Sequence, residues 1–257
     1  MIQTRSTAID RRRFLAVAGS TAVLGSTAGC LERFESGDDR DDLVLSPPEN
    51  HDRLADADLD IPIYGEALPE ATVPAALSDR SVTTTEFVGE RITMLTFIYT
   101  SCTTVCPGLT SSLRRVQADA TQRGYADEIA FQTVTFDPEY DTPDVLRSYG
   151  QNLGVDFDVG NWYFLRPPTP EAARDVVTET FGVAFERGEA DESTTGGEQH
   201  DEGHSDGESH DGHERRFAHT SLILLVNRAG FVERAYTGGP PRPDRLLETV
   251  RTVVEEG

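Results

Sequence analysis

The feature that most constrains this chain is a run of apolar, β-branched and aromatic residues at 92–99, followed closely by two cysteines. Such an uninterrupted run is typical of a strand buried on both faces of a sheet. Pro107 suits the first turn of a helix, and apolar residues continue after it at helical spacing. Cys102 and Cys106 are therefore predicted to lie where a buried strand ends and a helix begins.

Strand and helix signals alternate from residue 59 onward. Two of the helix signals begin with Thr-Pro, which is typical of an N-cap followed by the first helical turn. A hairpin and a final amphipathic helix close the pattern, which indicates an α/β fold, a thioredoxin-like sandwich. The remaining predicted elements are strands over 129–136, 162–165, 222–226 and 231–236, with helices over 142–153, 169–181 and 243–255.

One acidic segment, residues 189–214, interrupts this pattern. It contains almost no apolar residue and ten acids, so we expect a disordered, His-rich insertion loop. Neutral imidazoles bind metals, and weak, pH-dependent capture of Cu(II) is one interpretation of its histidines. The other is a salt-adapted, solvated loop whose histidines have no such role. The four histidines are His200, His204, His210 and His213.

The amino terminus has the pattern of an export signal. Residues 11–15, Arg-Arg-Arg-Phe-Leu, resemble a twin-arginine signal, and the mild apolar segment that follows is too short to span a membrane. Residues 27–30, Thr-Ala-Gly-Cys, resemble a lipobox and predict lipid attachment at Cys30. We therefore expect a signal peptide over 1–29, a flexible acidic tether over 30–58, and one domain over 59–257. This organisation predicts a lipoprotein at the outer face of the cell membrane.

The net charge of the chain disfavours two classes of binding partner. The formal net charge is −22, and all 23 basic residues are Arg. This acidity disfavours nucleic-acid binding, which needs positive charge, and polybasic docking on anionic lipid. A Lys-free acidic surface fits a halophilic habitat, because molar salt shortens the Debye length to about 3 Å and screens self-repulsion.

The cysteine pair is the candidate chemical centre. A helix start favours the thiolate, and thiolates are the soft ligands that Cu(I) prefers. His219, at the start of a predicted hairpin strand, could add an imidazole and complete a three-coordinate site. Three other interpretations remain open: a structural disulfide for Cys102 and Cys106, a buried structural role for His219, and a simple turn role for Asp137.

Several motifs in the same order resemble the SCO/SenC family of copper-binding, thioredoxin-fold proteins. The resemblance implies that Cys102, Cys106 and His219 ligate copper and that Asp137 supports them. It also implies an assembly factor that delivers copper to the binuclear site of cytochrome oxidase subunit II, or reduces the cysteines of that site. The motifs are residues 97–102, the Cys-x-x-x-Cys-Pro that ends at Pro107, residues 137–143, and residues 219–221.

Three functions therefore compete. The first is copper delivery to a terminal oxidase by a metallochaperone. The second is an enzymatic role as a thiol–disulfide oxidoreductase that uses Cys102 and Cys106. A peroxiredoxin would have Thr at position 99, where this chain has Tyr, and an ordinary thioredoxin has two residues between its cysteines rather than three. The third is a metal scavenger that works through the His-rich insertion.

Overall fold

The predicted alternation of strands and helices forms an α/β domain in the computed structural model, which describes residues 42–56, 60–187 and 217–257. Every strand and helix predicted between residues 92 and 257 is present close to its expected bounds. The strands are β1 (Thr72–Pro74), β2 (Ser81–Thr83), β3 (Ile92–Ile98), β4 (Ile129–Thr135), β5 (Trp162–Leu165), β6 (Phe185–Arg187), β7 (Phe217–His219), β8 (Leu222–Val226) and β9 (Val232–Thr237). The helices are α1 (His51–Asp56), α2 (Val105–Arg123), α3 (Pro143–Asn152), α4 (Pro170–Arg174) and α5 (Pro243–Glu256).

Strand β3 is central in a five-stranded sheet of order β5-β4-β3-β8-β9. Strands β3, β4 and β5 run parallel, whereas β8 is antiparallel to β3 and β9 is antiparallel to β8. All residues of β3 and β4 are buried, as the uninterrupted apolar run predicts for strands covered on both faces. The thioredoxin-like fold expected from the sequence is thus confirmed.

The helices begin and end where the sequence places their signals. Helix α2 packs against β3, β4 and α5, and it ends at Gly124, whose φ of 85° is the left-handed conformation that glycine adopts without strain. Thr142 caps α3 by accepting the backbone N–H of Val145 at 3.4 Å. Helix α4 starts in the same way and continues as a π-helical turn, Asp175–Thr180.

Two small strand pairs escaped the sequence analysis. Strands β1 and β2 form an antiparallel hairpin outside the main sheet. Strands β6 and β7 also pair antiparallel, and they flank residues 188–216. This second pair fixes the backbone of His219 opposite that of Phe185.

The domain also holds part of the segment that precedes it. Residues 42–45 run along the buried side chain of Glu233, whose carboxylate accepts the backbone N–H of Val44 at 2.7 Å and of Leu45 at 2.9 Å. These residues belong to the tether predicted over 30–58. Within that predicted tether, Val44 and Leu45 are hydrogen-bonded to the domain.

Several sequence predictions lie outside the described residues. They are the signal peptide over 1–29, the lipid attachment at Cys30, and the His-rich insertion over 189–214. Within the described ranges, none of the helices has the length and apolar character needed to cross a bilayer.

Candidate metal and thiol site

The loop between β3 and α2 brings the two cysteines together. The Cys102 backbone N–H donates to the carbonyl oxygen of Tyr99 at 3.2 Å, which turns the chain sharply after the strand. The Cys106 backbone N–H, in the first turn of α2, donates to Cys102 Sγ at 3.5 Å. The Thr104 hydroxyl lies 3.5 Å from the same sulfur. Both side chains are buried, and the sulfurs are not joined by a disulfide.

These contacts make the two thiols unequal. A hydrogen bond from the Cys106 thiol, with a further one from Thr104, outweighs burial and lowers the pKa of Cys102 to about 3. Hydrogen bonding to Cys102, together with burial, raises the pKa of Cys106 above that of an ordinary thiol. Cys102 is therefore the thiolate of the pair and Cys106 its proton donor. A thiolate is both the reactive nucleophile and a ligand for a soft metal ion.

The first turn of α2 packs tightly against the loop after β9. A Cβ atom at Gly108 would lie 2.5 Å from Pro240 Cγ, far inside van der Waals contact. Glycine at this position thus allows the helix that carries Cys106 to approach residues 238–241 closely.

Two buried aspartates follow β4, the neighbour of β3. Asp137 is buried, and its backbone N–H donates to Thr135 Oγ1 at 3.1 Å. Asp141 is also buried and accepts hydrogen bonds from Thr100, two residues before Cys102, and from Thr135. Burial raises the pKa of Asp141 to about 6 against the opposing effect of these bonds. Sequence reasoning singled out Asp137 and treated Asp141 only as part of a motif, although its place in that motif was a usable signal.

For His219 the structure describes the position of the backbone. The prediction that His219 starts the hairpin strand is wrong, because the hairpin is β8–β9 and His219 ends the separate strand β7. The Cα of His219 pairs with that of Phe185 across β6 and β7. The Phe185 ring stacks on Phe136 with centroids 4.8 Å apart, and Phe136 lies 5.3 Å from the ring of Tyr99. This row of aromatic rings leads from the strand beside His219 to the loop that carries Cys102.

The roles of Cys102, Cys106 and His219 as copper ligands remain predictions. Among the described side chains, no three or more His, Cys, Asp and Glu residues are grouped so as to hold a metal ion, and the His219 side chain is not one of those described.

The fold and the cysteine pair define a class: a thioredoxin-like protein with two reduced cysteines, three residues apart, at the start of a helix. Comparison with known proteins makes the class specific. The SCO1/SenC family model matches residues 76–255, which is most of the chain and the whole of the sheet. The chain belongs to the SCO1/SenC family.

Individual relatives agree with this assignment. A SCO1 protein homolog of Bacillus subtilis (strain 168) is 26% identical over 159 residues, which is 61% of this chain and 67% of the relative. A SCO1/SenC family lipoprotein of Bacillus anthracis (strain Ames) has a similar structure, with a TM-score of 0.54 and 18% identity over 73% of this chain and 94% of its own.

Two further solved structures share the fold. ScoI of Arabidopsis thaliana, solved with copper bound, has a TM-score of 0.52 at 17% identity and covers 74% of this chain and 98% of its own. BsSco, a member of the Sco family of cytochrome c oxidase assembly proteins, has a TM-score of 0.51 at 20% identity, with 77% and 98% coverage. At these identities the likeness concerns the fold.

Proposed function

We propose that this protein is a copper-binding assembly factor for a terminal cytochrome oxidase. It would bind copper through Cys102, Cys106 and His219 and deliver it to the binuclear copper site of subunit II. The observation that carries the proposal is the buried, unlinked pair Cys102 and Cys106 at the start of α2 in a SCO1/SenC domain. The copper-bound ScoI of Arabidopsis thaliana supports the choice of metal.

The donor set suits copper. A thiolate at Cys102 and a thiol that loses its proton on metal binding at Cys106 are soft ligands, which favour Cu(I). An imidazole from His219 suits both oxidation states of copper. Asp137, buried beside the loop, would support this set from outside the ligand shell. Copper is cargo in this proposal, so the site must release it as well as hold it.

A Cu(I) competition titration tests the site. The reduced protein, with Cys30→Ser to remove the third thiol, is titrated against a chromophoric Cu(I) chelator. We expect one tight copper per chain, lost in Cys102→Ser and strongly weakened in His219→Ala. His51→Ala is the matched control, because His51 lies on α1 and should leave the affinity unchanged. Unchanged tight binding in Cys102→Ser would contradict the assignment.

A second function rests on the inequality of the two thiols. We propose that the pair can also reduce a disulfide of the copper recipient. The Cys102 thiolate would attack the recipient disulfide and form a mixed disulfide, which Cys106 then resolves. The recipient gains two thiols, and this chain is left with a Cys102–Cys106 disulfide. Incubating the reduced protein with an oxidised, soluble subunit II domain tests this role, since thiol counts in both proteins must change together.

The cellular location completes the proposal. A twin-arginine signal over 1–29 would export the chain, and a lipid on Cys30 would hold it at the outer face of the membrane. The lipoprotein of Bacillus anthracis supports the lipid attachment. Cell fractionation of a Cys30→Ser chain is expected to find the protein released, and continued membrane retention would contradict lipid anchoring.

The His-rich insertion has a separate, weaker role in this proposal. We expect His200, His204, His210 and His213 to capture Cu(II) weakly. Fixing a chain segment around an ion costs conformational entropy, which limits the affinity. Deleting residues 190–212 should remove weak Cu(II) binding and leave tight Cu(I) binding intact. Loss of the tight site in a folded deletion variant would contradict this division.

A further inference from the structure

Asp141 is a fully buried carboxylate on the loop that also carries Asp137, and it contacts the loop that carries Cys102. It accepts the backbone N–H of Thr100 at 3.2 Å, and it accepts the Thr100 hydroxyl as well. It also accepts the hydroxyl of Thr135, whose Oγ1 in turn accepts the backbone N–H of Asp137 at 3.1 Å. One side chain thus joins the two loops that follow neighbouring parallel strands.

Burying the Asp141 carboxylate in this way costs free energy of folding, so stability alone would not explain its position. All donors to Asp141 among the described residues are neutral: two threonine hydroxyls and one backbone N–H. A carboxylate buried without a cation loses much of its hydration energy, and neutral hydrogen bonds recover only part of that loss. Buried polar networks of this kind fix a unique local geometry when every member is satisfied.

We propose that Asp141 is a positioning residue for the thiol pair, holding the Cys102 loop in its ligand-ready, reduced conformation. Asp141 and its hydrogen bonds to Thr100 form a clamp on the cysteine loop. Cys102 follows Thr100 two residues later in the chain. At this point the hydrogen bond from the Cys102 N–H to the Tyr99 carbonyl closes a turn of the backbone. Fixing Thr100 therefore fixes the start of the turn that places Cys102 Sγ next to Cys106. The copper part of this inference rests on the proposed function, whereas the thiol part does not.

The first test measures copper affinity. Partners outside the ligand shell typically change metal affinity 10- to 100-fold. We expect Asp141→Asn to weaken Cu(I) binding about tenfold in the competition titration. Thr100→Val, which removes the hydroxyl but keeps the carboxylate, should weaken it in the same direction, and Thr100→Ser should restore it. Wild-type affinity in both Asp141→Asn and Thr100→Val would overturn the inference.

The second test is independent of copper. The oxidised-to-reduced ratio of Cys102 and Cys106 is measured in Cys30→Ser chains equilibrated with reduced and oxidised dithiothreitol. The clamp holds the dithiol form, so its loss should raise the oxidised fraction, at least threefold in ratio, in Asp141→Asn and Thr100→Val alike. A change only in Asp141→Asn would mean that the charge acts alone and would overturn positioning through Thr100.

A matched control separates positioning from stability. Asp119 is another well hydrogen-bonded carboxylate, on α2 far along the helix from the cysteines. Asp119→Asn should lower the free energy of unfolding and leave both the copper affinity and the thiol ratio unchanged. If it changed them as much as Asp141→Asn does, the effect would be one of general stability and the inference would fall.

The two proposals fail in different ways. If wild-type protein binds no tight Cu(I), the proposed copper function fails, and the thiol ratio still decides the role of Asp141. If wild-type protein binds copper but neither Asp141→Asn nor Thr100→Val changes affinity or thiol ratio, the positioning role fails and the copper function stands.

Discussion

A partly buried and a fully buried aspartate show how differently this domain treats the same side chain. Asp119, on α2, accepts the guanidinium of Arg251 from α5 at 2.5 and 2.9 Å and that of Arg123 at 3.0 Å. Asp141, beside the cysteine loop, accepts only neutral donors among the described residues. The arginine hydrogen bonds hold the pKa of Asp119 well below its usual range, whereas burial raises that of Asp141 to about 6.

The difference separates a structural region from a functional one. At Asp119, charge is neutralised locally and two helices are joined. At the cysteine loop, an arginine beside the sulfurs would compete with a cationic metal ion and alter the balance between the two thiols. Neutral donors hold the loop without adding positive charge, as the proposed copper site requires.

The largest effect should follow from breaking the inequality of the thiols. With its pKa at about 3, Cys102 is fully a thiolate at pH 6, so its alkylation rate should be flat from pH 5 to 8. In Cys106→Ala the main hydrogen bond to the thiolate is lost and the pKa rises. The rate at pH 6 should then fall up to ~300-fold relative to its plateau, as expected for a thiol of pKa about 8.5. Rates are measured with iodoacetamide in Cys30→Ser chains.

Cys106→Ser is the control for that experiment. Its hydroxyl can still donate to Cys102 Sγ, so the profile should stay closer to wild type than in Cys106→Ala. If Cys106→Ala kept a flat profile, the low pKa would come from the helix start rather than from the thiol partner.

A smaller effect should follow from removing Asp119. Asp119→Ala abolishes the hydrogen bonds from Arg251 and Arg123 and the one from the Tyr125 hydroxyl at 2.6 Å. We expect the free energy of unfolding to fall by about 2 kcal/mol, measured by urea denaturation. Copper affinity should not change. A parallel loss of copper affinity would contradict the separation of the two regions.

The Asp119 carboxylate should also make the free energy of unfolding sensitive to acid. Its folded-state pKa is lowered, so the stabilisation is fully present above the unfolded-state value of about 3.9 and is lost as pH falls toward the folded-state value. The stability difference between wild type and Asp119→Asn should therefore shrink as pH decreases from 5 to 2. Denaturation midpoints at several pH values measure it, and a constant difference would mean that Asp119 is not ionised in its ion pairs.

Sequence reasoning succeeded where the signal is local. The apolar run of β3 and the Thr-Pro start of α3 each carry their own evidence, so the sheet, most helices and the position of Cys102 and Cys106 were predictable. Strand β6 was missed because three residues hold too little periodicity to mark a strand. The unequal pKa values of the cysteines depend on distances of a few ångströms between side chains, which spacing in the sequence does not give.

Long-range polar contacts were also out of reach. Asp141 was quoted as part of a motif, yet its hydrogen bond to Thr100 joins residues 41 positions apart. The contact between Glu233 and Val44 spans 189 positions. Nothing in the acidic composition around residue 42 distinguishes the residues that pack on the domain from those that do not, because the decisive partner is a backbone N–H that every residue except proline has.

The smallest effect should come from Glu233, at the end of the sheet opposite the cysteines. Glu233 accepts the amides of Val44 and Leu45 and the Asn227 side chain at 2.6 Å, and Asn227 directly follows β8, which ends beside the start of β3. In Glu233→Gln the acceptor loses its charge, so we expect a loss of about 1 kcal/mol confined to this contact. Hydrogen exchange at the two amides should quicken about fivefold, which is that free energy expressed as a rate ratio.

Glu66→Gln is the control for this variant, since the Glu66 side-chain carboxylate, among the described residues, accepts a local amide, that of Ile63 at 2.8 Å. It should leave exchange at Val44 and Leu45 unchanged. Thiol reactivity at Cys102 should be unaffected by either change, because the strand β3 lies between the two ends. Faster exchange in Glu233→Gln together with altered Cys102 reactivity would show that the two ends are coupled through the sheet, and the division between a structural and a functional end would have to be abandoned.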